Sequence, residues 1–535
     1  MNFPRSTTRH RFLFCISWTV LIAASGCSAQ SSSGNPLAAP AAPAAPAVVP
    51  LVRQVSPTPP PAVAEFFAKA KAADALADPL ERCLAYPDLP GNAWPRDLAK
   101  ASCEMVFGRE ITLSEIDGYL DRKALAELDA IYRGYMERHF SHDDFDESIH
   151  GALLHPGDAG DFDRTTARWL EMAPQSAFAL ASRAEYLRLQ AHGARGGELA
   201  SKTPRENFRR MSEYVGQAIE LNYRALAIEP RLMQSYAGLI DLGKLDSRPD
   251  VVMDAVQKGR KQDPWCRAIT GYLMESLEPQ WGGSLEEMMA LSAELQPHVA
   301  ERPLLALNTI WPQVTIAERL LEQRRYAEVI ALLEPLIRTS THTELTIHTG
   351  EAMLLSGSPD RWTTAMYLLE ATRFGSRESF HQLMLANALV NAHEIEWAAK
   401  VIAPLPGMPD MDTEDQYLLG DLFFRLGKNE AAEKAFLIAS KDPKFAELAP
   451  LQVVRMMFQS GQAERGWAQV TRLNADFPGL AEGWLLRGQL AVVRGDKKEA
   501  MTAFRKAIET VDLNKPDDEF VAHQAESGLR GLQAK

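Results

Sequence analysis

Three glycines, Gly427, Gly461 and Gly495, stand 34 residues apart, each just after an apolar helical run and before a polar turn. A fixed period of this kind constrains a chain tightly, because every unit must offer the same faces to its neighbours. In the same register Phe436, Val470 and Phe504 share one position, and Ala432, Gly466 and Ala500 share another, four residues earlier. A small residue one helical turn before a bulky one suits two antiparallel helices. The small side chain permits close approach and the large one fills the groove. The units are 413–446, 447–480 and 481–514. One step upstream, 379–412 also fits through Ala386, Leu389, Ala398 and Ile402, with His393 where the turn glycine should stand. Two related hairpins are expected near 313–342 and 345–376 without the strict spacing, and residues 517–533 read as a polar capping helix. From about residue 63 onward apolar residues recur at three and four, with no run of period two. The expected fold is therefore all-α: a helical-hairpin repeat superhelix preceded by a helical domain.

The period, with Gly420 and Gly488 at a small site of the first helix and Ala439 and Ala507 in the second, resembles the tetratricopeptide repeat. Leu473 departs from the pattern in the middle unit, and Pro478 sits near the terminal proline of that repeat. The resemblance implies a concave groove lined by the first helix of each hairpin. In this register the lining is Asn387, Tyr417, Asp421, Phe424, Arg455, Phe458 and Gln489. Aromatic bodies interleaved with polar heads suit an extended peptide or a partner helix. The lysine-and-asparagine clamp of chaperone-tail-binding members is not recognisable.

Residues 159–312 carry other marks. Trp169, Pro174 and Ser176 precede an Ala-rich helix, Arg195-Gly196-Gly197 follows it, and a long helix runs from about 204 to 228. The segment Pro279-Gln280-Trp281-Gly282-Gly283-Ser284 opens a further helix. This order resembles the domain-of-unknown-function 4034 family, which brings no assigned chemistry. Physically the segment is a junction, with glycines free to take positive φ, Ser284 as N-cap and Glu287 three residues on for a capping box.

The N-terminus has Arg5, Arg9 and Arg11, then an apolar run from Phe12 to Ala24, too short for a span of roughly 20 residues. Ala24-Ser25-Gly26-Cys27 resembles the lipobox of bacterial lipoproteins, although Ala24 stands where leucine is usual. The resemblance implies cleavage after residue 26 and acylation of Cys27, and Ser28 in place of aspartate favours the outer membrane. Residues 27–62 then form an Ala/Pro-rich tether, extending to roughly 100 Å at ~3.1 Å per residue. Beyond it lie an N-terminal helical region (63–158), the 4034-like domain (159–312), degenerate hairpins (313–378), repeats (379–514) and a cap (515–535).

The formal charge is −13; loss of the three leader arginines takes 57 basic residues to 54 against 70 acidic ones, a net −16. Such a body is a poor partner for nucleic acid or anionic lipid. Cys83 and Cys103 are close enough in sequence to bridge two short helices in an oxidising compartment, and Cys266 is left over.

No GxSxG, Walker-type, HExxH or paired CxxC motif is present, so no catalytic residue and no cofactor are expected. The nearest cluster is His139-Phe140-Ser141-His142-Asp143-Asp144-Phe145-Asp146 with His150 and His155. His139 with His142, or His142 with Asp146, can share a helix face, but the stretch reads as an acidic connection and not as a metal site. The expected function is a lipid-anchored, periplasm-facing scaffold that binds a protein or peptide partner in the cell envelope. The alternative is a hydrolase or a small-ligand or metal-binding protein with its site in 63–310.

Overall fold

The computed structural model describes residues 58–141, 147–155, 159–197, 200–512 and 518–533. Cys27, most of the tether and the His142–Asp146 stretch lie outside them. Every regular element among the described residues is helical, and no helix there is long and apolar enough to cross a membrane.

Helices pair into hairpins, and in most of them one residue with positive φ closes the turn. Downstream these residues are Arg324, Gly357, His393, Gly427, Gly461 and Gly495, with φ between 58° and 76°. Gly427, for example, joins Thr413–Arg425 to Asn429–Ala439, and Gly461 joins Leu448–Gln459 to Ala463–Asp476. His393 takes the left-handed conformation at φ 62° with a side chain attached, so the turn keeps its geometry without glycine. Arg324 does the same in the hairpin Trp311–Glu322 with Tyr326–Ile337. The cap is the helix Asp518–Gln533.

The small sites work by contact. A Cβ on Gly420 would meet the Phe436 ring at 2.7 Å, and one on Gly488 would meet Phe504 at 2.5 Å. Ala432 and Ala500 are fully buried in the facing helices. Glycine here lets the two helices of a hairpin approach until the phenyl ring fills the space.

The same construction continues upstream of the strict repeats. Ala177–Arg195 packs along Arg205–Ile228, and Met233–Leu245 along Pro249–Gln262 through a turn at Ser247, φ 54°. Arg267–Ser276 leads through the 3-10 turn Pro279–Trp281 to Leu285–Leu295. There Gly282 has φ 96°, a Cβ on Gly283 would lie 2.3 Å from the Leu277 carbonyl oxygen, and Ser284 Oγ accepts from the Glu287 amide at 3.2 Å. Arg195 donates to Thr203 Oγ1 at 2.8 Å and lies over Phe208, so it serves the fold.

Successive first helices touch one another along the downstream array, whereas contact of that extent is not found between successive second helices. The first helices therefore form the inner, concave face.

The N-terminal region is laid over this array. Phe67 meets Trp362 and Trp397 edge-on at 5.9 Å each, and Trp94 Nε1 donates to the Ile337 carbonyl at 2.8 Å. Buried residues from Val63 to Leu89 belong to one apolar core with residues 310–457. Cys83 and Cys103 are bonded to each other with Cα atoms 5.7 Å apart, and the bridge packs on Phe374. Arg373 clamps the same segment by donating to the Cys83 carbonyl at 3.1 Å and to Asp88 at 2.8 Å. The bridge closes a loop across a sequence separation of 20. Replacing both cysteines by serine is expected to cost about 3 kcal/mol through the freer unfolded chain. Urea denaturation of parent and variant in non-reducing buffer checks this, and coincident curves would contradict it.

Candidate functional site

Six residues before each left-handed turn residue lies one repeating position of the first helix. Upstream it holds Asp241, Glu318 and Glu351; downstream it holds Asn387, Asp421, Arg455 and Gln489. Every one of these is polar. Their cross-helix contacts run from one first helix to the next, which places the row on the concave face.

Four of the seven residues expected to line the groove, Asn387, Asp421, Arg455 and Gln489, stand in this row. Arg455 pairs with Glu482 on the following first helix and donates to Gln452 Oε1 at 3.2 Å. Asn387 accepts from Arg425 Nη1 at 2.6 Å, and Asn391 accepts from Nη2 of the same guanidinium at 2.6 Å. Asp421 lies 3.8 Å from Arg425; burial lifts its carboxyl above the ordinary value despite that charge.

The three aromatic members do different work. Tyr417 stacks on Phe445 at 5.0 Å and meets Phe436 edge-on, and only its hydroxyl reaches the groove, accepting from Gln452 Nε2 at 3.1 Å. Phe424 and Phe458 are partly buried against apolar clusters. They fix the spacing of the lining more than they offer a surface. The groove residues that sequence reasoning missed are Arg425, Gln452 and Glu482. For Arg425 the signal was present, since it follows Asp421 by four and shares its helix face.

Further up the row the charges gather around one histidine. His348 lies 3.3 Å from Glu344, 3.7 Å from Glu318 and 3.9 Å from Glu351. Burial alone would lower its pKa, but these carboxylates outweigh burial and lift it to about 10. At the upstream end Arg188 donates to Glu185 and to Asp241 at 2.8 Å, and Lys244 bridges Asp241 at 3.0 Å and Glu275 at 2.7 Å. Arg188, Glu185 and Asp241 are each at most 2% exposed. Burial would raise the Asp241 carboxyl, yet His192, Lys244 and Arg188 hold it well below the ordinary range.

This end is covered by the helices Leu125–Phe140 and Ser148–Leu153. His150 bonds to Gln234, Glu147 accepts from Arg267 at 3.1 Å, and His139 Nε2 meets Asp263 Oδ2 at 3.0 Å. Two overlapping sets here have metal-ligating chemistry, His139 with Glu147 and His150, and His139 with Asp263 and Cys266, each with donor atoms within 4.8 Å. They fit an ion poorly, because Arg302 already occupies Asp263 and Arg267 already occupies Glu147. The cavity beside them has a volume of about 20 Å³, room for one water. The chemistry is that of a charge-balanced staple between the N-terminal helices and the array. The pairings of His142 expected from sequence lie outside the described residues, and His155 stacks edge-on against Phe162 at 5.5 Å. No catalytic motif or clear active site is present among the described residues.

No protein-family model matches the chain, and no curated protein does. Among solved structures it is similar to the P58(IPK) TPR domain, at 12% identity over 75% of this chain and 97% of that one, TM-score 0.23. It is also similar to the APC/C hetero-tetramer Cut9–Hcn1, at 12% identity over 88% of this chain and 83% of that one, TM-score 0.37.

The staple has a pH signature. Burial opposes the charged form of His139, but the bond to Asp263 and the neighbouring Cys266 and Glu147 raise its pKa to about 10, against about 6.5 when unfolded. A raised folded pKa contributes stability in full below about 6.5 and loses it as pH climbs through about 10. Asp263→Asn is expected to cost about 3–5 kcal/mol at pH 6 and distinctly less at pH 10.5. Denaturant melts at both pH values test this; an equal deficit at the two would refute the charged pairing.

Proposed function

We propose that this protein is a lipid-anchored scaffold of the bacterial cell envelope, facing the periplasm from the outer membrane and gathering protein partners along its concave face. The observation that carries the reading is the polar row, repeated over seven hairpins and lined by side chains already oriented by their neighbours. A groove of pre-organised amides, carboxylates and guanidinium groups suits an extended segment of another protein, since ordering costs at the interface fall when the lining is held in advance.

The anchor rests on Cys27 and the small residues before it, and the Ala/Pro-rich stretch is the spacer between lipid and body. The Cys83–Cys103 bond accords with an oxidising compartment. Within this reading 159–312 is the domain similar to the 4034 family, the repeats of 379–514 carry the binding face, and 515–535 only caps the array.

The test uses the full chain, purified in detergent and used to capture partners from envelope extracts after cross-linking. Arg455→Ala and Asn387→Ala are expected to lose partners that the parent retains, while Glu519→Gln on the cap retains them. Unchanged capture by both groove variants would sink the assignment to this face. In parallel, Cys27→Ser should abolish palmitate labelling and release the protein from the membrane fraction; labelling that persists removes the anchor at this residue.

A further inference from the structure

One turn of the array is longer than the others, and a cavity opens beside it. After Arg324, His393, Gly427, Gly461 and Gly495 the second helix begins two residues on, at Tyr326, Ile395, Asn429, Ala463 and Lys497. After Gly357 it begins four residues on, at Arg361, because Ser358-Pro359-Asp360 lengthens the turn. The interval from Gly357 to His393 is accordingly 36 residues instead of 34. Between these two turns lies a cavity of about 490 Å³, within the size range of small-molecule sites.

Its lining has two characters. Met353, Leu354 and Val390 supply apolar surface, and Arg361, Arg425 and Asn391 supply donors. No carboxylate lines it, in a chain whose net charge is −13. The Arg361 Nε atom is buried without a hydrogen-bond partner, while Nη1 of the same guanidinium lies 3.2 Å from the His393 imidazole and its face lies over the Trp362 ring at 5.3 Å. Asp360, the adjacent acid, is turned away to cap its own helix by accepting from the Thr363 amide at 3.1 Å. The Arg425 guanidinium is aimed by two asparagine oxygens, while Asp421 stays 3.8 Å from it. Burial presses the Arg425 pKa below its ordinary value, since that carboxylate only partly offsets the lost water.

A buried donor with no acceptor and a second cation held in place are positive charge awaiting an anion. The cavity is far larger than an inorganic ion, and its apolar wall would be left wet by one. We propose that the cavity between the Gly357 and His393 turns binds a carboxylate borne on an apolar body, its carboxylate meeting Arg361 and Arg425 and its body lying on Met353, Leu354 and Val390. The source is a free small acid or the end of a peptide; the chemistry is shared. The site adjoins the polar row through Arg425, which also holds Asn387, but it does not depend on the scaffold reading.

The experiment is calorimetric titration of the full chain with N-acetyl-leucyl-leucine, its C-terminal amide, hexanoate and inorganic phosphate. The acid should bind and the amide should bind at least about tenfold more weakly, since a charge-assisted contact is worth more than 1.4 kcal/mol. Arg361→Gln should weaken the acid by a similar factor with an unchanged circular-dichroism spectrum. Arg425→Gln should do so too, and should it unfold, Arg361→Gln alone decides. Hexanoate binding as tightly as the dipeptide identifies a free acid; dipeptide binding without hexanoate identifies a peptide end. Equal binding of acid and amide, full affinity in Arg361→Gln, phosphate displacing the acid at equal concentration, or no binding of either acid overturns the proposal.

Discussion

Two antiparallel helices joined by a turn of three to five residues here need one residue in the left-handed conformation, and in this protein that single backbone requirement orients everything built on it. The turn residue fixes the phase at which the first helix ends. The phase in turn decides which side chains face the next hairpin and which face the inner surface. Because φ stays between 54° and 76° at the turns of Ser247, Arg324, Gly357, His393, Gly427, Gly461 and Gly495, the position six residues earlier always returns to the concave side. The polar row is a consequence of backbone geometry repeated, not of a conserved side chain, which is why its members range from aspartate to arginine.

Glycine adopts that conformation without steric cost, whereas a side chain there costs roughly 1–2 kcal/mol. The protein nevertheless places Ser247, Arg324 and His393 at such turns. Packing around them over-determines the conformation. The second helices Pro249–Gln262 and Tyr326–Ile337 bury Val251, Ala255, Val329 and Leu333, and apolar burial at roughly 25 cal/mol per Å² exceeds the local strain.

This explains how much of the fold could be read from the chain. The hairpins closed by Gly427, Gly461 and Gly495 announce themselves because the cheapest residue for the turn is also the easiest to recognise. His393 was legible only through the register of its neighbours. Ser247 and Arg324 give no compositional signal at the turn, so the Arg324 hairpin shows its kinship with the repeats only through its helices and the Ser247 hairpin does not show it at all, although both share their construction. The Cys83–Cys103 pair is local in sequence and was within reach. By contrast, the placing of Trp94 against Ile337 or of Arg373 against Cys83 spans 243 and 290 residues. Periodicity carries no information about such contacts. The same holds for the staple: His139 shows its local neighbours in sequence, while the partners that set its charge, Asp263 and Cys266, sit more than a hundred residues away.

Exposure along the row also follows from electrostatics. A charge can be enclosed only where a partner balances it, because an unpaired buried ion costs several kcal/mol. At the upstream end Arg188, Lys244 and His192 answer Glu185, Asp241 and Glu275, and there the Ser148–Leu153 helix can close over the row. Downstream, Asp421 and Arg455 remain 19% and 27% exposed. Covering these residues with another chain demands that the chain bring its own hydrogen-bonding groups, in register with a row whose members recur every 34 residues. An incoming segment that lacks them would leave the amide of Asn387 and the carboxylate of Asp421 desolvated. An apolar segment laid on the open end would thus carry a desolvation penalty, whereas at the closed end the chain supplies its own cover.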